Sequence, residues 1–200
     1  ASAADVILTG ASPGDYFGVE LAAGDVSQDG ISDLVVGDSG FNGNLTGQGR
    51  VYIFYGGSMS SENASAADVI LTGEGSGNRF GSGVAVGDLD NNGKNDLAVQ
   101  AFTQGKVHIF YDVNISTKDA ASSDVKLSEE GIGSFADMSP LITDINDNGV
   151  DDLIIGASGF DDPNDQGRVY VLMSEAAITT PATFKLQGDM QIQGTVKFGN

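Results

Sequence analysis

The sequence contains no cysteine, so no disulfide can stabilise its fold. It has one histidine, His108, which leaves no second histidine or cysteine to act with it in catalysis. Basic residues are scarce: 9 face 28 acidic residues, and the formal net charge is −19. Nucleic acid phosphates and anionic membrane surfaces would repel such a chain. No run of about 18 apolar residues is present, so we expect neither nucleic acid binding nor membrane insertion.

Three copies of one short loop organise the rest of the sequence, at residues 25–33, 88–96 and 144–152. Each reads D-x-[SDN]-x-[DN]-G-x-x-D, with oxygen-bearing side chains at positions one, three, five and nine and glycine at position six. Calcium takes six to eight oxygen ligands, and glycine permits the sharp turn that directs several of them to one point. The pattern therefore predicts one calcium ion in each loop, up to three ions in all.

The predicted ligands of each loop are four side chains and, at position seven, a backbone carbonyl. The first two loops each bring three carboxylates and the third brings two, so the third site is predicted to be the weakest. The alternative is that aspartate, asparagine and glycine simply form turns, which they favour without a metal. The predicted ligand residues are Asp25, Ser27, Asp29, Ile31 and Asp33; Asp88, Asp90, Asn92, Lys94 and Asp96; and Asp144, Asn146, Asn148, Val150 and Asp152.

These loops do not fit an EF-hand, which requires a bidentate glutamate at position twelve. Here that position holds Val36, Val99 and Ile155. All three lie in short runs of aliphatic residues that are typical of buried strands rather than of an exiting helix. We therefore expect each loop to connect two strands.

The loops belong to longer repeats. Residues 1–10 recur letter for letter at residues 64–73, and no segment shows helical periodicity. Each repeat holds four strand-like segments, an arrangement typical of β-propeller blades. The alternating run from Arg50 to Tyr55 predicts a strand with one face in water. The predicted strands are Val19–Val26, Asp33–Asp38, Arg50–Tyr55 and Asp68–Thr72; Gly83–Asp88, Asp96–Gln100, Lys106–Tyr111 and Asp124–Ser128; and Ser139–Asp144, Asp152–Ala157, Arg168–Met173 and Thr183–Gln187.

We expect an all-β fold of propeller-type blades with four antiparallel strands each. Residues 11–73, 74–129 and 130–188 would form three blades. Residues 1–10 would supply an outer strand to a preceding or partner blade. The tail, residues 189–200, alternates like a strand and could pair with a neighbouring subunit. Three blades are fewer than a closed propeller uses, so we expect part of a larger ring or an assembly of chains.

The series Phe17-Gly18, then Gly24-Asp25, then Asp33–Gly37 and Gly49–Gly56 resembles the FG-GAP repeat of integrin α-subunit β-propellers and their microbial relatives. The third repeat departs from the pattern, with Phe135-Ala136 where Phe-Gly is expected. The resemblance implies a calcium loop between the first two strands of each blade.

The leading functional hypothesis is a calcium-binding module of a secreted or cell-surface protein that acts in adhesion, recognition or surface structure, and not as an enzyme. It would bind a protein or glycan ligand. Loop aromatics Phe41 and Phe160 are candidate contact residues, or else buried loop plugs. One alternative is a self-assembling surface or filament subunit joined through open blade edges. Another is an accessory domain of a secreted hydrolase.

Overall fold

The computed structural model describes residues 4–112, 119–129, 139–158, 167–174 and 190–194. Apart from three single turns of 3-10 helix, at Ala64–Ala66, Phe102–Gln104 and Ala120–Ser122, the regular structure in these ranges is β-strand. The strands are β1 (Leu8–Thr9), β2 (Phe17–Gly24), β3 (Asp33–Asp38), β4 (Arg50–Phe54), β5 (Glu62–Asn63), β6 (Val69–Thr72), β7 (Phe80–Gly87), β8 (Asp96–Ala101), β9 (Lys106–Phe110), β10 (Val125–Glu129), β11 (Leu141–Thr143), β12 (Asp152–Ala157), β13 (Arg168–Leu172) and β14 (Met190–Gly194).

The strands form three antiparallel sheets, which we call blades. Blade 1 has the order β2-β3-β4-β6, blade 2 the order β7-β8-β9-β10, and blade 3 the order β11-β12-β13. A two-stranded parallel pair, β1 with β5, lies beside them. The sheets do not close into a ring within the described residues. The predicted all-β class and partial-propeller architecture are thus confirmed.

The predicted fourth strand of blade 3, Thr183–Gln187, lies outside the described residues. The Phe135-Ala136 pair also lies outside them. The tail does form a strand, β14, and it pairs antiparallel with β10 of the same chain, extending blade 2 by one strand.

The prediction that Arg50–Tyr55 has one face in water is wrong. From Val51 to Phe54 every side chain of β4 is buried. Blade 2 covers the side of β4 that carries Val51 and Ile53, while Phe17 of β2 and Leu8 of β1 cover the side that carries Tyr52 and Phe54. Alternation there separates two apolar environments rather than core from solvent.

Two apolar cores join the blades. The first packs β3, β4 and β6 of blade 1 against β7 and β8 of blade 2, with Val51, Leu71 and Phe80 fully buried. The second packs β8, β9 and β10 against β12 and β13, with Leu127 and Ile155 at its centre. Because the cores alternate with the sheets, each blade is held by its neighbours.

A third apolar cluster covers the other face of blade 1. Tyr52 and Phe54 are buried there beneath Phe17, whose ring meets both edge-on, at centroid distances of 5.6 and 6.3 Å. Leu8 of β1 packs on the same cluster. Phe41 is also buried, with the Arg50 guanidinium 3.5 Å above its ring. Phe41 is therefore a loop plug and not an exposed contact residue; Phe160 lies outside the described residues.

A buried carboxylate lies at the end of β3. Asp38 is inaccessible to solvent and Asp15 is nearly so. Within the described residues no hydrogen bond of ordinary geometry reaches either carboxylate oxygen of Asp38, although the Arg50 guanidinium, the Phe41 N–H and the Tyr52 hydroxyl lie close enough to oppose a rise of its pKa. Burial, with Asp15 nearby, raises the pKa of Asp38 to about 7. The folded protein therefore holds a proton on Asp38 that the unfolded chain releases near pH 4. Ionising this group costs folding free energy as the pH rises from about 4 to about 7.

We predict that Asp38→Asn stabilises the protein at pH 8 and has little effect at pH 4. The gain is on the order of a few kcal/mol, at about 1.4 kcal/mol per pKa unit. Urea unfolding at both pH values, in excess chelator, measures it. Asp5→Asn, which removes the same charge from an exposed site, is the control and should change stability little at either pH. Equal effects of Asp38→Asn at pH 4 and pH 8 would contradict the prediction.

Candidate metal centre

Each of the three repeated loops joins the first two strands of its blade: β2 to β3, β7 to β8 and β11 to β12. The three loops share one backbone shape. Position six is glycine with φ of 84–86°, and position four also has positive φ, at Gln28, Asn91 and Asp147. A side chain at position six would be strained in this conformation even where space is open. The shared shape places the same atoms of each loop at the same end of each blade.

The aspartate at position one folds the loop back on itself. Asp88 accepts hydrogen bonds from the backbone N–H groups of Asn92, at 3.0 Å, and Gly93, at 2.7 Å. Asp25 and Asp144 make the same pair of contacts in their loops. The Gly149 N–H is the largest cause of the lowered pKa of Asp144.

The aspartate at position nine connects the loop to the third strand of the blade. Asp33 Oδ2 accepts from the N–H groups of Val26 and Ser27, at 2.9 and 2.8 Å, while Oδ1 accepts from Gly56 N–H at 2.8 Å. The sister residues Asp96 and Asp152 repeat this arrangement, with the N–H of Asp112 and Ser174 in place of Gly56. All three aspartates are buried. Position nine was predicted to be a metal ligand. Its hydrogen bonds give it a further role, which is to hold the loop to the end of the third strand.

Positions five and seven are also organised by the loop itself. The side-chain oxygen of Asp29, Asn92 or Asn148 accepts from the N–H of position seven, at 2.8–2.9 Å. Position seven is exposed as Ile31 and buried as Val150. Its side chain therefore follows local packing, in keeping with a role limited to the backbone carbonyl.

In the second loop three carboxylates converge. Asp88, Asp90 and Asp96 each offer an oxygen within 4.8 Å of the other two, and within the described residues this is the one such acidic group. Oxygens around a common calcium ion, bound at 2.3–2.6 Å, lie within about 5 Å of one another. The spacing fits that ion. Burial and the neighbouring Asp90 and Asp88 raise the pKa of Asp96 to about 7 although backbone N–H groups oppose the shift. A bound cation would oppose the same repulsion.

At position three, the first and third loops have an uncharged side chain where the second loop has the carboxylate of Asp90. Ser27 supplies a hydroxyl oxygen that is buried without a hydrogen-bond partner in the described part of the chain. Asn146 supplies an amide, whose nitrogen donates to Asp152 at 3.4 Å. The first and second loops carry equal numbers of carboxylates, so the convergence of Asp88, Asp90 and Asp96 is what ranks the second of the described loops first for a divalent cation.

Position eight links successive loops, and our reading of the sequence overlooked it. Asn95 Nδ2 donates to the carbonyl of Asp25 at 3.2 Å, and Asp151 accepts from the N–H of Asp88 at 3.0 Å. Each contact joins position eight of one loop to position one of the preceding loop. The repeated polar character of position eight, with Ser32 in the first loop, was the available signal.

His108 does not belong to any of the three loops. It lies on β9 at the strand position of Tyr52, and both residues are fully buried. Burial lowers its pKa to about 4, so the imidazole is neutral at physiological pH. Its ring packs edge-on against Phe80 at 5.4 Å, as Tyr52 does against Phe17. These contacts give it a packing role.

Known proteins contain the same repeat. The family model of the FG-GAP repeat matches the chain three times, at residues 17–54, 80–110 and 138–172. Integrin alpha-5 of Xenopus laevis is 34% identical over 169 residues, covering 77% of this chain. Human integrin alpha-IIb is 34% identical over 163 residues and Drosophila melanogaster integrin alpha-PS5 is 32% identical over 163 residues, each covering 76% of the chain. The chain spans only 16% of the length of each of these relatives.

We predict that Asp33→Asn destabilises the protein even without any metal. The asparagine NH2 group would replace one carboxylate oxygen and face backbone N–H donors, leaving at least one of them unpaired at a cost of about 1–3 kcal/mol. Urea unfolding in excess chelator measures this loss. Asp29→Asn is the control, because asparagine keeps the Oδ1 that accepts from Ile31. Equal losses for the two variants would contradict the structural role of position nine.

Proposed function

The chain belongs to the FG-GAP repeat family, and from that membership we propose that it is a calcium-stabilised β-propeller module that acts in adhesion or recognition at the cell surface or outside the cell. The observation that carries the calcium assignment is the convergence of Asp88, Asp90 and Asp96 in a loop whose backbone shape recurs twice. Whole integrin alpha subunits are far longer than this chain, so the adhesive role is inferred from the shared module alone.

Calcium would act here as a structural ion. Asp88, Asp90 and Asp96 with Asn92 and the Lys94 carbonyl would hold it in the second loop, and the sister residues would hold it in the other two. The ion would offset the repulsion between neighbouring carboxylates and fix the hairpin between the first two strands. Outside cells calcium is abundant enough to fill sites of modest affinity. In a chain without cysteine, a ligand that binds only the folded state supplies stability that disulfides cannot.

The partner of this module would be a protein or a glycan presented at a surface. The net charge of −19 favours a partner with basic groups and disfavours polyanions. Of the described residues, no helix has the length and apolar character needed to cross a membrane.

Self-association is a second candidate role, and a specific observation favours it. Large aliphatic side chains are exposed at both ends of the row of blades, Leu21 on blade 1 and Val169 on blade 3. Each has an exposed neighbour two positions away on the same strand, Val19 on β2 and Val171 on β13. Grouped exposed apolar side chains of this kind commonly mark an interface.

We predict that millimolar calcium raises the melting temperature relative to excess chelator, and that magnesium at the same concentration raises it less. Magnesium requires a tighter octahedral shell than these loops offer. At a calcium concentration about 100-fold above the dissociation constant, binding adds about 2.7 kcal/mol per site. Differential scanning calorimetry in the three conditions measures the effect. Identical melting temperatures with calcium and with chelator would overturn the calcium assignment.

Substitutions at loop position three test which atoms bind the ion. Asp90→Asn should reduce the calcium-dependent rise in melting temperature but should not lower stability in chelator, because it relieves carboxylate repulsion there. Asn146→Asp, the opposite change at the same position of the third loop, should enlarge the rise. Differential scanning calorimetry in calcium and in excess chelator measures both. Parallel shifts of the two variants, in the same direction, would contradict the proposed ligand set.

A further inference from the structure

Two hydrogen bonds join the second and third loops across the boundary between blades 2 and 3. The carboxylate of Asp151, at position eight of the third loop, accepts from the backbone N–H of Asp88 at 3.0 Å. The hydroxyl of Ser174, the second residue after β13, donates to the carbonyl of Leu89 at 3.3 Å. Asp88 and Leu89 are positions one and two of the second loop, so both bonds are made to the start of that loop.

Ser174 is also bonded to the third loop through its backbone. Its N–H donates to Asp152 Oδ1 at 2.7 Å, and its carbonyl accepts from Asn148 Nδ2 at 2.7 Å. These two residues are the predicted ligands at positions nine and five. Ser174 is fully buried, where water cannot replace a lost partner. One residue therefore connects two candidate ligands of the third loop to the start of the second loop.

Glycine permits the close approach of successive loops at this end of the blades. A Cβ added to Gly87, the residue before position one, would lie 2.7 Å from Asp151 Oδ2 and 2.3 Å from Ile142 Cγ2. A side chain there would displace one of them. Gly24 has the same place in the first loop, where an added Cβ would lie 3.1 Å from Asn95 Nδ2. Contact between successive loops thus explains the glycine that precedes position one in each.

The boundary between the first and second loops has a different chemistry. Asn95 Nδ2 donates there to the carbonyl of Asp25 at 3.2 Å, a bond between two uncharged groups. Asp112, which has the position of Ser174 in blade 2, uses its carboxylate to accept from Asn92 Nδ2 of its own loop at 2.7 Å. Hydrogen bonds to a charged group are the stronger kind. The boundary between the second and third loops therefore carries the stronger link.

We propose that the second and third calcium sites are coupled, so that an ion in one raises the affinity of the other, and that Asp151 and Ser174 transmit this effect. The inference rests on the calcium assignment proposed above and adds regulation to those sites. By thermodynamic linkage the effect is reciprocal, and each ion raises the affinity of the other site by the same factor.

The coupling arises because both ions order the same stretch of backbone. Without an ion, the three carboxylates of the second loop repel one another. An ion that holds them fixes the Asp88 N–H and the Leu89 carbonyl, and these groups in turn hold Asp151 and Ser174. The third loop is then already ordered when its own ion binds, so that second binding step loses less conformational entropy.

The charge of Asp151 favours both ions. Two dications in neighbouring loops repel each other, and this repulsion by itself would lower the affinity of each site when the other is filled. Asp151 follows Val150, whose carbonyl is a predicted ligand of the third loop, and its carboxylate bonds to the N–H of Asp88 in the second. Its negative charge therefore lies at the boundary between the two sites, where it attracts both ions and offsets their repulsion.

Site-resolved calcium titration by nuclear magnetic resonance tests the coupling. The N–H of Gly93 donates to Asp88 in the second loop and that of Gly149 donates to Asp144 in the third, so each amide resonance follows one site. The second site is ranked first, so it is filled while the third titrates. Asp90→Asn removes a predicted ligand of the second site and none of the third. We expect it to raise the dissociation constant measured at Gly149 by on the order of fivefold or more.

Two bridge variants, Ser174→Ala and Asp151→Ala, test the named residues. Ser174→Ala removes the hydroxyl that bonds to Leu89 and keeps the backbone groups that bond to the third loop. Asp151→Ala breaks the other bond at a partly buried position, so it provides the test if Ser174→Ala does not fold. In either background Asp90→Asn should change the Gly149 dissociation constant by about twofold or less, which is the loss of coupling that a double-mutant cycle measures.

Asn95→Ala is the matched control, because it breaks the contact between the first and second loops and leaves both bonds to the third loop in place. In that background Asp90→Asn should keep its full effect at Gly149. An effect that the bridge variants reduce and the control does not supports the inference.

The other outcomes separate the coupling from the calcium assignment. A Gly149 dissociation constant that Asp90→Asn leaves unchanged overturns the coupling and leaves the calcium assignment in place. An effect of equal size in every background overturns the role of Asp151 and Ser174. If calcium changes neither the Gly93 nor the Gly149 resonance, both proposals are overturned.

Discussion

The buried carboxylate at position nine of each loop is the interaction on which the structure depends. Asp33, Asp96 and Asp152 lie out of contact with water, so each must find hydrogen-bond donors inside the protein. They find them at the start of their own loop and in the second residue after the third strand. One side chain thereby fixes the hairpin between the first two strands and the distance to the third. The loop backbone is consequently organised before any ion binds.

The loops and the blades depend on each other through this arrangement. The shared loop conformation brings the position-one and position-nine carboxylates of each repeat to the same end of its sheet, and position eight then joins neighbouring loops through Asn95 and Asp151. Away from the loops, between the strands of adjacent blades, the apolar cores join the same sheets face to face. A divalent cation would therefore act at the loop end of the blades, whereas apolar packing holds the rest of each blade to its neighbour. This is why removing a carboxylate ligand and removing a position-nine hydrogen bond should have separable effects.

Repetition also explains the two exposed ends. A blade in a row has two faces, and each face is apolar because a neighbouring blade normally covers it. In blade 2 both faces are covered, and Val84 and Val107 are buried on opposite sides. Blades 1 and 3 also carry aliphatic residues at these positions, and Leu21 and Val169 are exposed within the described residues. The exposed aliphatic residues of blades 1 and 3 thus follow from the repeat itself, which places an apolar residue at each of these positions.

Much of this protein could be predicted from the amino-acid sequence because its signals are local. The loop spacing, the glycine at position six and the strand runs depend on neighbours a few residues apart, and they placed the predicted strands that fall in the described residues within about three residues of their observed bounds. Contacts between distant residues could not be found in that way. The sequence does not reveal that β4 is buried on both faces, that the buried Asp38 lies near Asp15, or that the second of the three described loops brings three carboxylates together. The tertiary structure alone decides these features, because burial and the distances between carboxylates depend on the exact backbone path and on side chains that pack from other parts of the chain.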